Sequence, residues 1–507
     1  MVVRKEEKEN RTKQTDEKDT KRIATHNSRG AQESKIPDTK GLTVKKQDDF
    51  SEWYTQVVQK AELADYAPIR GFMVIRPRAY AIWEQIQEYF NKVLREIKVD
   101  NAYFPLLIPE SFFKREAEHA KGFAPELAYL EGKDEGERLA IRPTSETIMY
   151  DSYAKWIRSW RDLPLKMNQW NNVLRWEVKQ CKPFLRTREF LWQEGHCVFT
   201  TEEGAEENMM EIIQEYKKMC EELLAIPVIL GKKSHVETFA GAKKTMTIEA
   251  LMPDGKALQC GTSHNLGQGF AKMFGIRFKG KDEQEHVPWQ TSWGFSTRLI
   301  GALVMLHGDD KGLVIPPRVA RQKVVIVPII FDEQKEEIMK KVREIEKKLS
   351  TFGVFVDERE YSPGWKFSEW EMKGMPLRLE IGPKDIEKKQ VTLVRRDTGK
   401  KESIAEKDIE RTVAMTLETM QKEMFAKAKK FLDASIDSAK TLKELKEKIS
   451  EGKMVRAYLV DEPDVEALVK ETTGGATSRI VEESEKEGTC IQTGKKTKIV
   501  MLFAKAY

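Results

Sequence analysis

The chain has 507 residues, 40% of them hydrophobic, and a net charge of +5, which predicts about three domains with apolar cores and permits a nucleic-acid partner. No apolar run approaches the roughly 20 residues that a bilayer span needs, and no apolar signal segment opens the chain, so we expect neither membrane association nor secretion. The five cysteines show no close pairing, which favours free thiols and a cytoplasmic location.

Residues 1–40 are predicted to form a disordered charged tail. They contain 11 lysines and arginines, 8 aspartates and glutamates and no aromatic residue, and such a segment cannot bury enough apolar surface to order itself. Regular structure is expected from Gly41 onwards. Apolar residues recur at steps of three and four over residues 83–97, which predicts an amphipathic helix.

Short elements follow this helix. Residues 102–109 are predicted to form an apolar strand, and Pro105 places it at a sheet edge or a subunit boundary because proline donates no ladder hydrogen bond. Another strand is expected at 139–141. The motif Arg-Pro-Thr-Ser-Glu at 142–146 is predicted to start a helix that ends near Trp160.

Residues 173–196 have the pattern of a β-hairpin with a basic loop. Because side chains alternate between the faces of a strand, Arg175 and Glu177 are expected to share a face of the first arm. The residues that share a face of the second arm are Trp192, Glu194 and His196. The cations of the turn are Lys179, Lys182, Arg186 and Arg188.

Two interpretations of this hairpin compete. Charged hairpins are usually solvated surfaces with weak ion pairs. The apolar run Phe190–Trp192 indicates, however, that the sheet is buried on at least one side, and buried charges need partners. The pattern therefore favours a hairpin that forms the floor of a binding site, with a phosphate bound at one end and an ammonium at the other.

The rest of the chain alternates between helices and strands. Helices are predicted over residues 209–224, 338–349 and 409–431, and residues 292–305 run from a strand into a helix. The remaining predicted strands cover residues 324–330, 354–357, 377–381, 391–395 and 499–503. The alternation after residue 319 is typical of a compact α/β domain with a mixed sheet.

Four segments resemble, in order, the motifs of one enzyme family. They are RPTSE at 142–146, the hairpin at 173–196, QCGTSHNLGQ at 259–268 and WGFSTRLIGALVMLHGDDKGLVIPPRVA at 293–320. Together they resemble the prolyl-tRNA synthetases of eukaryotic and archaeal type, which are class II aminoacyl-tRNA synthetases. The resemblance covers about residues 41–507.

The resemblance implies an α+β fold, with a class II antiparallel sheet and flanking helices, then an α/β anticodon-binding domain and a small α+β C-terminal domain. We expect these domains at 41–318, 319–431 and 432–507. The implied activity is that of a proline–tRNA ligase, which activates L-proline with ATP and Mg²⁺ and transfers it to the 3′ end of tRNA(Pro). A homodimer is expected, because the helix at 83–97 and the Pro105 strand match the family's dimer motif.

Amino-acid activation brings the carboxylate of proline to the α-phosphate of ATP, and fixed positive charge must offset the repulsion between these anions. The resemblance assigns this role to Arg175 and Arg298, whose planar guanidinium groups can pair bidentately with oxyanions. The other residues that match the ATP site are Glu177, Arg186, Thr187, Gln259, Thr262 and Ser296. Gln259 matches a position near a magnesium ion, and Cys260 matches a wall residue rather than a nucleophile.

The resemblance places the substrate ammonium at Thr144 and Glu146. Proline carries a secondary ammonium with two N–H donors, which a carboxylate such as Glu146 can accept. A compatible alternative is a helix start, with Thr144 as N-cap and Glu146 favourable to the dipole. The other residues that match the proline pocket are Arg175, Trp192, Glu194, His196, Phe239 and His264. Spacing alone would leave both histidines unassigned.

In the second domain the resemblance implies an anticodon-reading face, because arginine and glutamate can pair with base edges. The candidates are Glu358, Arg359, Lys366, Arg378 and Glu380, and a solvated charged surface is the alternative for each. Relatives often carry a four-cysteine zinc site in the C-terminal domain. Here Cys490 alone stands where a Cys-x-x-Cys pair would lie, and Thr493 takes the second place, so we expect no zinc.

Bacterial-type relatives insert a large editing domain between the motifs that correspond here to the hairpin at 173–196 and the segment at 293–320. In this chain 95 residues separate His196 from Ser292, and the predicted helix and strands use most of them. We therefore expect no editing domain, so that alanine is activated and not corrected in cis.

Three other functions remain as alternatives. A paralogue that kept the fold and lost the chemistry would usually lack Arg175, Arg298 or Glu146, and all three are present. A synthetase for threonine, serine or glycine fits the RPTSE loop and the second hairpin arm less well. An RNA-binding protein would not need the phosphate side of the hairpin.

Overall fold

The computed structural model describes residues 41–119, 126–132, 134, 136–330 and 334–507. The predicted tail at 1–40 lies outside these residues. An eleven-stranded sheet and a separate five-stranded sheet organise the described part of the chain. No helix within these ranges is long and apolar enough to cross a membrane.

Helices pack around the larger sheet. They are α1 (Phe50–Lys60), α2 (Pro77–Glu96), α3 (Glu110–His119), α4 (Glu146–Trp156), α5 (Glu202–Lys218), α6 (Gly269–Phe274) and α7 (Arg298–His307). Asp49 caps α1 by accepting the Glu52 N–H at 2.9 Å, and Pro77 occupies the first turn of α2, where its missing N–H costs nothing. One π-helical turn, Met219–Leu223, follows α5.

The strands of the same region form the antiparallel part of the large sheet and three small ribbons. They are β1 (Ala64–Tyr66), β2 (Met73–Ile75), β3 (Asp100–Asn101), β4 (Leu107–Pro109), β5 (Leu139–Ile141), β6 (Leu165–Leu174), β7 (Glu189–Phe199), β8 (Ile229–Lys232), β9 (Lys244–Leu251), β10 (Lys256–Gly267), β11 (Phe278–Lys279), β12 (Glu285–His286) and β13 (Trp289–Ser296). The order β8-β9-β10-β13-β7-β6 is antiparallel throughout, and β3 adds a parallel edge strand beside β6.

An aromatic and aliphatic core covers one face of this sheet. It joins α2, α5 and α7 to the sheet, and the ring of Phe295 on β13 makes edge-on contacts with Phe90 and Tyr216 at 5.3 and 5.1 Å. A second cluster packs α4 and α6 against the ends of β7 and β10. The two cores fix the strands that carry the candidate site.

The five-stranded sheet lies in the region predicted to be α/β. Its elements are β14 (Val324–Pro328), α8 (Lys335–Lys348), β15 (Val354–Val356), α9 (Pro363–Met372), β16 (Leu377–Ile381), α10 (Pro383–Glu387), β17 (Gln390–Arg395), β18 (Lys401–Ala405) and α11 (Ile409–Ala434). Strands β15, β14 and β16 are parallel, whereas β17 and β18 are antiparallel, so the predicted mixed sheet is confirmed.

The C-terminal strands extend the large sheet. The elements are β19 (Ile436–Ser438), α12 (Leu442–Ser450), β20 (Met454–Tyr458), α13 (Pro463–Thr472), β21 (Thr477–Thr489) and β22 (Lys496–Ala506). Their order, β19-β20-β22-β21, continues directly into β8, with Val481 opposite Lys232. The strand predicted at 499–503 is confirmed as part of β22, while the union of this region with the larger sheet was not foreseen.

Two local predictions are corrected. The strand expected at 102–109 is wrong, because β3 ends at Asn101, β4 begins at Leu107 and the residues between them are irregular. The first hairpin arm ends at Leu174, so Arg175 and Glu177 lie in the loop rather than on a strand face. The Arg175 N–H still donates to the Arg188 carbonyl at 2.7 Å, which fixes this end of the loop.

Candidate active site

A cavity of about 590 Å³ lies against β7, β10 and β13 and the loop between β6 and β7. It brings together the residues predicted for the proline and ATP sites. These are Thr144, Glu146, Arg175, Glu177, Arg186, Thr187, Trp192, Glu194, His196, Phe239, Gln259, Thr262, His264, Ser296 and Arg298. The wall residue Cys260 also lines it.

Arg175 and Arg298 reach the cavity from different elements. The Arg175 guanidinium lies 5.2 Å from the centre of the Phe190 ring and 5.6 Å from that of Trp192. Arg298 is the first residue of α7, and its Nε donates to the Leu185 carbonyl at 3.2 Å. Burial lowers the pKa of both, and the charge of Arg175 lowers that of Arg298 further. The two cations therefore line the same cavity, where their charge suits an anion.

Thr144 and Glu146 stand at the start of α4. The N-cap is Ser145, without a side-chain capping bond, so Thr144 as N-cap is wrong. The Thr144 hydroxyl instead donates to the Glu146 carboxylate. Glu146 lies in the first helical turn, as expected, and is only 4% exposed. A buried carboxylate that lines a cavity suits an ammonium group.

The Glu194 carboxylate on β7 is surrounded by donors. Asn171 Nδ2 and Gln169 Nε2 donate to its Oε1 at 2.6 and 3.2 Å. The hydroxyl and the backbone N–H of Ser145 donate as well, and His196 Nε2 lies 3.1 Å from Oε2. Burial acts to raise the pKa of Glu194, but the bonds from His196, Ser145 and Asn171 outweigh it and keep the pKa below its usual value.

The two histidines of the cavity have opposite environments. Burial acts to lower the pKa of His196, but the hydrogen bond to Glu194 and the charge of Glu146 outweigh it, so the pKa is raised. His264 has its Nδ1 2.9 Å from the Thr245 hydroxyl and its ring 4.8 Å from that of Phe239. Burial and the charge of His196 lower the pKa of His264 to about 3. His264 is therefore neutral at physiological pH.

Within the described ranges one group of three potential metal ligands comes together, with ligand atoms within 4.8 Å of one another. It consists of Glu146, Glu194 and His196. The donors around Glu194 already occupy its lone pairs, so this group does not fit a metal. At the end of the cavity that the sequence predicts for ATP, the lining residues include Glu177 and Gln259, whose side chains carry oxygen atoms, the ligand type that Mg²⁺ prefers.

The other nucleotide-end residues have mixed exposure. Arg186 and Glu177 are exposed, whereas Thr187 is buried and donates its hydroxyl to the Glu189 carbonyl at 2.6 Å. The Ser296 hydroxyl accepts the Arg298 N–H at 3.3 Å, which ties this residue to the start of α7. Glu177 and Arg186 therefore present long, exposed, charged side chains at the mouth of the cavity. The remaining residues form its floor.

Several lining residues were missed by the sequence analysis. Lys233 and Glu237 follow β8, and Thr245 is the second residue of β9. Ser292 on β13 lies between His196 and His264 of the neighbouring strands. They stand outside the quoted motifs, and lone residues of these types carry no spacing signal. Tyr507 also lines the cavity, and its hydroxyl donates to the Asp254 carboxylate at 2.7 Å.

The anticodon candidates on the smaller sheet all have partners within their own region. Arg359 binds Asp357 at 2.8 and 2.9 Å and Glu369 at 2.6 Å, and these hydrogen bonds raise its pKa. Glu358 pairs with Arg343. Arg359 is thus held by carboxylates, so its role as a base-reading residue stays a prediction.

The remaining candidates are more deeply placed. Arg378 pairs with Glu380 at 2.9 Å, and both are buried. Lys366 is also buried and donates to the Asp357 carbonyl at 3.0 Å. Beside them the rings of Tyr361 and Trp365 stack with centres 4.0 Å apart. A planar aromatic pair of this kind suits stacking with a nucleic-acid base.

Cys490 is buried and bonded locally. The Thr493 N–H donates to its Sγ at 3.4 Å. Burial acts to raise the pKa of the thiol, but the bonds from Thr493 outweigh it and lower the pKa. Thr493 thus contacts Cys490 through its backbone N–H, and the absence of zinc stays a prediction.

Comparison with known protein families matches three regions of the chain. Residues 129–307 match the model described as tRNA synthetase class II core domain (G, H, P, S and T). Residues 323–415 match the anticodon binding domain, and residues 442–507 match the model described as Prolyl-tRNA synthetase, C-terminal.

Curated relatives agree with these matches. A proline–tRNA ligase of Natranaerobius thermophilus is 49% identical over 91% of this chain and 97% of its own length. One of Cenarchaeum symbiosum is 48% identical over 92% of this chain and 99% of its own length. One of Oceanobacillus iheyensis is 47% identical over 91% and 97%. The similarity thus extends over nearly the whole of each relative.

Proposed function

The chain belongs to the proline–tRNA ligase family of class II aminoacyl-tRNA synthetases, and from this we propose how its cavity performs the two steps of proline–tRNA ligation. In the first step the carboxylate of L-proline attacks the α-phosphate of ATP, which forms prolyl-adenylate and releases pyrophosphate. In the second step the 3′-hydroxyl of tRNA(Pro) attacks the adenylate and releases AMP. The observation that carries the proposal is the meeting of Arg175, Arg298 and Glu146 in one cavity.

Arg175 binds the two reacting anions, and Arg298 binds the outer phosphates. Positive charge that is already in place stabilises the transition state more than flexible charge does, because it needs no reorganisation. Contacts with Phe190 and Trp192 hold the Arg175 guanidinium in position. Positioning and electrostatics, rather than a protein nucleophile, therefore carry the reaction.

The other cavity residues bind and orient the substrates. Glu146, supported by Thr144, accepts the N–H donors of the imino acid. The pyrrolidine ring contacts Trp192, Phe239 and His264. Gln259 and Glu177, which line the same cavity, would supply oxygen ligands for the Mg²⁺ that accompanies ATP, and the ion would neutralise phosphate charge.

We also propose the domain limits 41–318, 319–431 and 432–507, with anticodon recognition in the second domain and no zinc in the third. The three family matches fall inside these limits, which supports them.

A homodimer is proposed through the region of β3. This strand ends the large sheet, and Tyr103 and Trp156 beside it are 73% and 49% exposed. Light scattering tests the dimer.

ATP–pyrophosphate exchange with a panel of amino acids tests the proposed site. Proline should support the fastest exchange, and Glu146→Gln should raise the KM for proline about 30-fold or more, since removing one partner of a buried charge pair costs about 2–5 kcal/mol. Glu207→Gln, at an exposed position of α5, is the matched control and should behave as wild type. An unchanged KM in Glu146→Gln would contradict the site.

A further inference from the structure

The C-terminal region holds one wall of the cavity in place. The segment that follows β8 lines the cavity with Lys233, Glu237 and Phe239. Strand β21 lies directly beside β8, and a side chain at Gly231 would meet Ile480 at 2.3 Å. Only glycine allows this close approach, so the wall and the C-terminal strand are in direct contact.

One link between them is a buried ion cluster. Arg479 on β21 binds the Glu249 carboxylate through Nε at 3.1 Å and through Nη2 at 2.9 and 3.0 Å. Lys233 Nζ lies 2.8 Å from the same carboxylate. The side chain of Arg479 is 7% exposed, that of Lys233 is 2% exposed and that of Glu249 is fully buried. Because an unpaired buried charge is costly, each member constrains the others.

A second link binds the residue after Lys233. The Ser478 hydroxyl lies 2.9 Å from that of Ser234 and donates to the Glu466 carboxylate at 2.6 Å. Ser234 also donates to Glu466, at 3.1 Å. The side chains of Ser478 and Ser234 are buried, and they join β21 and α13 to the cavity wall.

These links end at the proline side of the cavity. The Lys233 N–H donates to the Thr245 carbonyl at 2.9 Å. The Thr245 hydroxyl accepts the Phe239 N–H at 3.1 Å and lies 2.9 Å from His264 Nδ1. A shift of Lys233 would therefore move Phe239 and His264, which form the wall for the pyrrolidine ring.

We propose that Arg479 is a positioning residue: by fixing Glu249 and through it Lys233, it lets the C-terminal region set the shape of the proline pocket. This inference rests on the proposed function of the cavity. Loss of the Arg479 fork leaves Glu249 held only by Lys233, at 2.8 Å, and by the Thr247 hydroxyl, at 3.0 Å, so that the carboxylate and the Lys233 side chain paired with it shift from their places. Proline binding should suffer more than ATP binding, since both links lead to Phe239 and His264.

The test compares Arg479→Met with Arg456→Met in the full-length protein. Arg456 also forms a bidentate pair, with Glu482 on β21, but its side chain is 36% exposed and it does not line the cavity. In ATP–pyrophosphate exchange, Arg479→Met should raise the KM for proline about tenfold or more and the KM for ATP less than about threefold. Arg456→Met should leave both values unchanged, and Arg479→Lys should restore part of the proline affinity.

Equal KM values for wild type and Arg479→Met, with only the melting temperature lowered, would overturn the inference. If Arg479→Met does not fold, Ser478→Ala takes its place. It removes one hydroxyl from the second link and should raise the KM for proline about threefold, and an unchanged KM would be contrary to the inference. A wild-type protein without proline-dependent exchange would instead overturn the proposed function, and the inference with it.

Discussion

Arg175 and Arg298 bring two guanidinium groups to one cavity, where burial lowers the pKa of both. Because a planar fork and not charge alone is needed for bidentate binding, Arg175→Lys and Arg298→Lys should each lower kcat/KM for exchange by about 100-fold or more. Arg95→Lys, on an exposed position of α2, is the control and should have no effect. Wild-type rates in either cavity variant would exclude that arginine from the reaction.

The contributions of His196 and His264 to the stability of the fold should depend on pH in opposite directions. The pKa of His196 is raised above its unfolded value of about 6.5, so its stabilisation is complete below that pH and is lost as pH rises through the folded pKa. For His264 the folded pKa of about 3 lies below the unfolded one, so its stabilisation is complete above about pH 6.5 and decreases as pH falls towards 3.

Thermal unfolding of His196→Gln and His264→Asn between pH 5 and pH 9 measures this contrast. The loss of melting temperature relative to wild type should shrink with rising pH for His196→Gln. It should shrink with falling pH for His264→Asn. Each variant controls for the other, and parallel curves would contradict the assigned environments.

At the scale of elements, β7 depends on a glycine between its two functional residues. A Cβ at Gly195 would lie 2.1 Å from the buried ring of Trp293 on β13. Gly195→Ala should therefore lower the free energy of unfolding by about 3 kcal/mol and weaken proline binding, because Glu194 and His196 flank the site of strain.

Chemical denaturation and the KM for proline measure both effects. The control is Gly364→Ala in α9, where no atom lies within 4 Å of the new Cβ and the backbone is not left-handed. That substitution should be neutral or slightly stabilising. A Gly195→Ala variant as stable as Gly364→Ala would show that β13 can move away from β7.

The elements that the sequence predicted best are those with a strong period. Residues 83–97 follow the helical spacing and coincide with α2, and residues 377–381 form β16 as expected. The strand expected at 102–109 fails because apolar composition alone does not show where Pro105 interrupts the hydrogen bonds. The first hairpin arm is shorter than its alternation suggested, since the loop takes up Arg175 and Glu177.

The cavity residues, like the elements, were predicted where a local sequence pattern marks them and were missed where none does. Those inside the quoted motifs line the cavity together, whereas Lys233 and Glu237 were missed because their place depends on how β8 meets β21. Such a contact between residues more than 200 positions apart leaves no local pattern in the sequence. The same reason hid the buried cluster of Lys233, Glu249 and Arg479.

At the scale of the whole molecule, the chain between the hairpin at 173–196 and the segment at 293–320 is taken up by elements of the large sheet and by the helices and ribbon packed beside it. The 95 residues between His196 and Ser292 include α5, β8, β9, β10 and α6, together with the small ribbon of β11 and β12. Strands β9 and β10 lie in the middle of the large sheet and line the cavity. This segment therefore builds the synthetic site itself, and we expect it to hold no second, hydrolytic site.

Alanine should consequently be misactivated and left uncorrected. A pocket shaped for a pyrrolidine ring can exclude larger side chains by contact, but it rejects a smaller one only through lost packing, at about 1–3 kcal/mol for each missing methylene. We expect alanine-dependent exchange with kcat/KM about 10²- to 10⁴-fold below that for proline, and no exchange with leucine. Preformed alanyl-tRNA should decay at its spontaneous rate when the protein is added. Rapid hydrolysis of alanyl-tRNA, with prolyl-tRNA left intact, would require a hydrolytic site elsewhere in the chain.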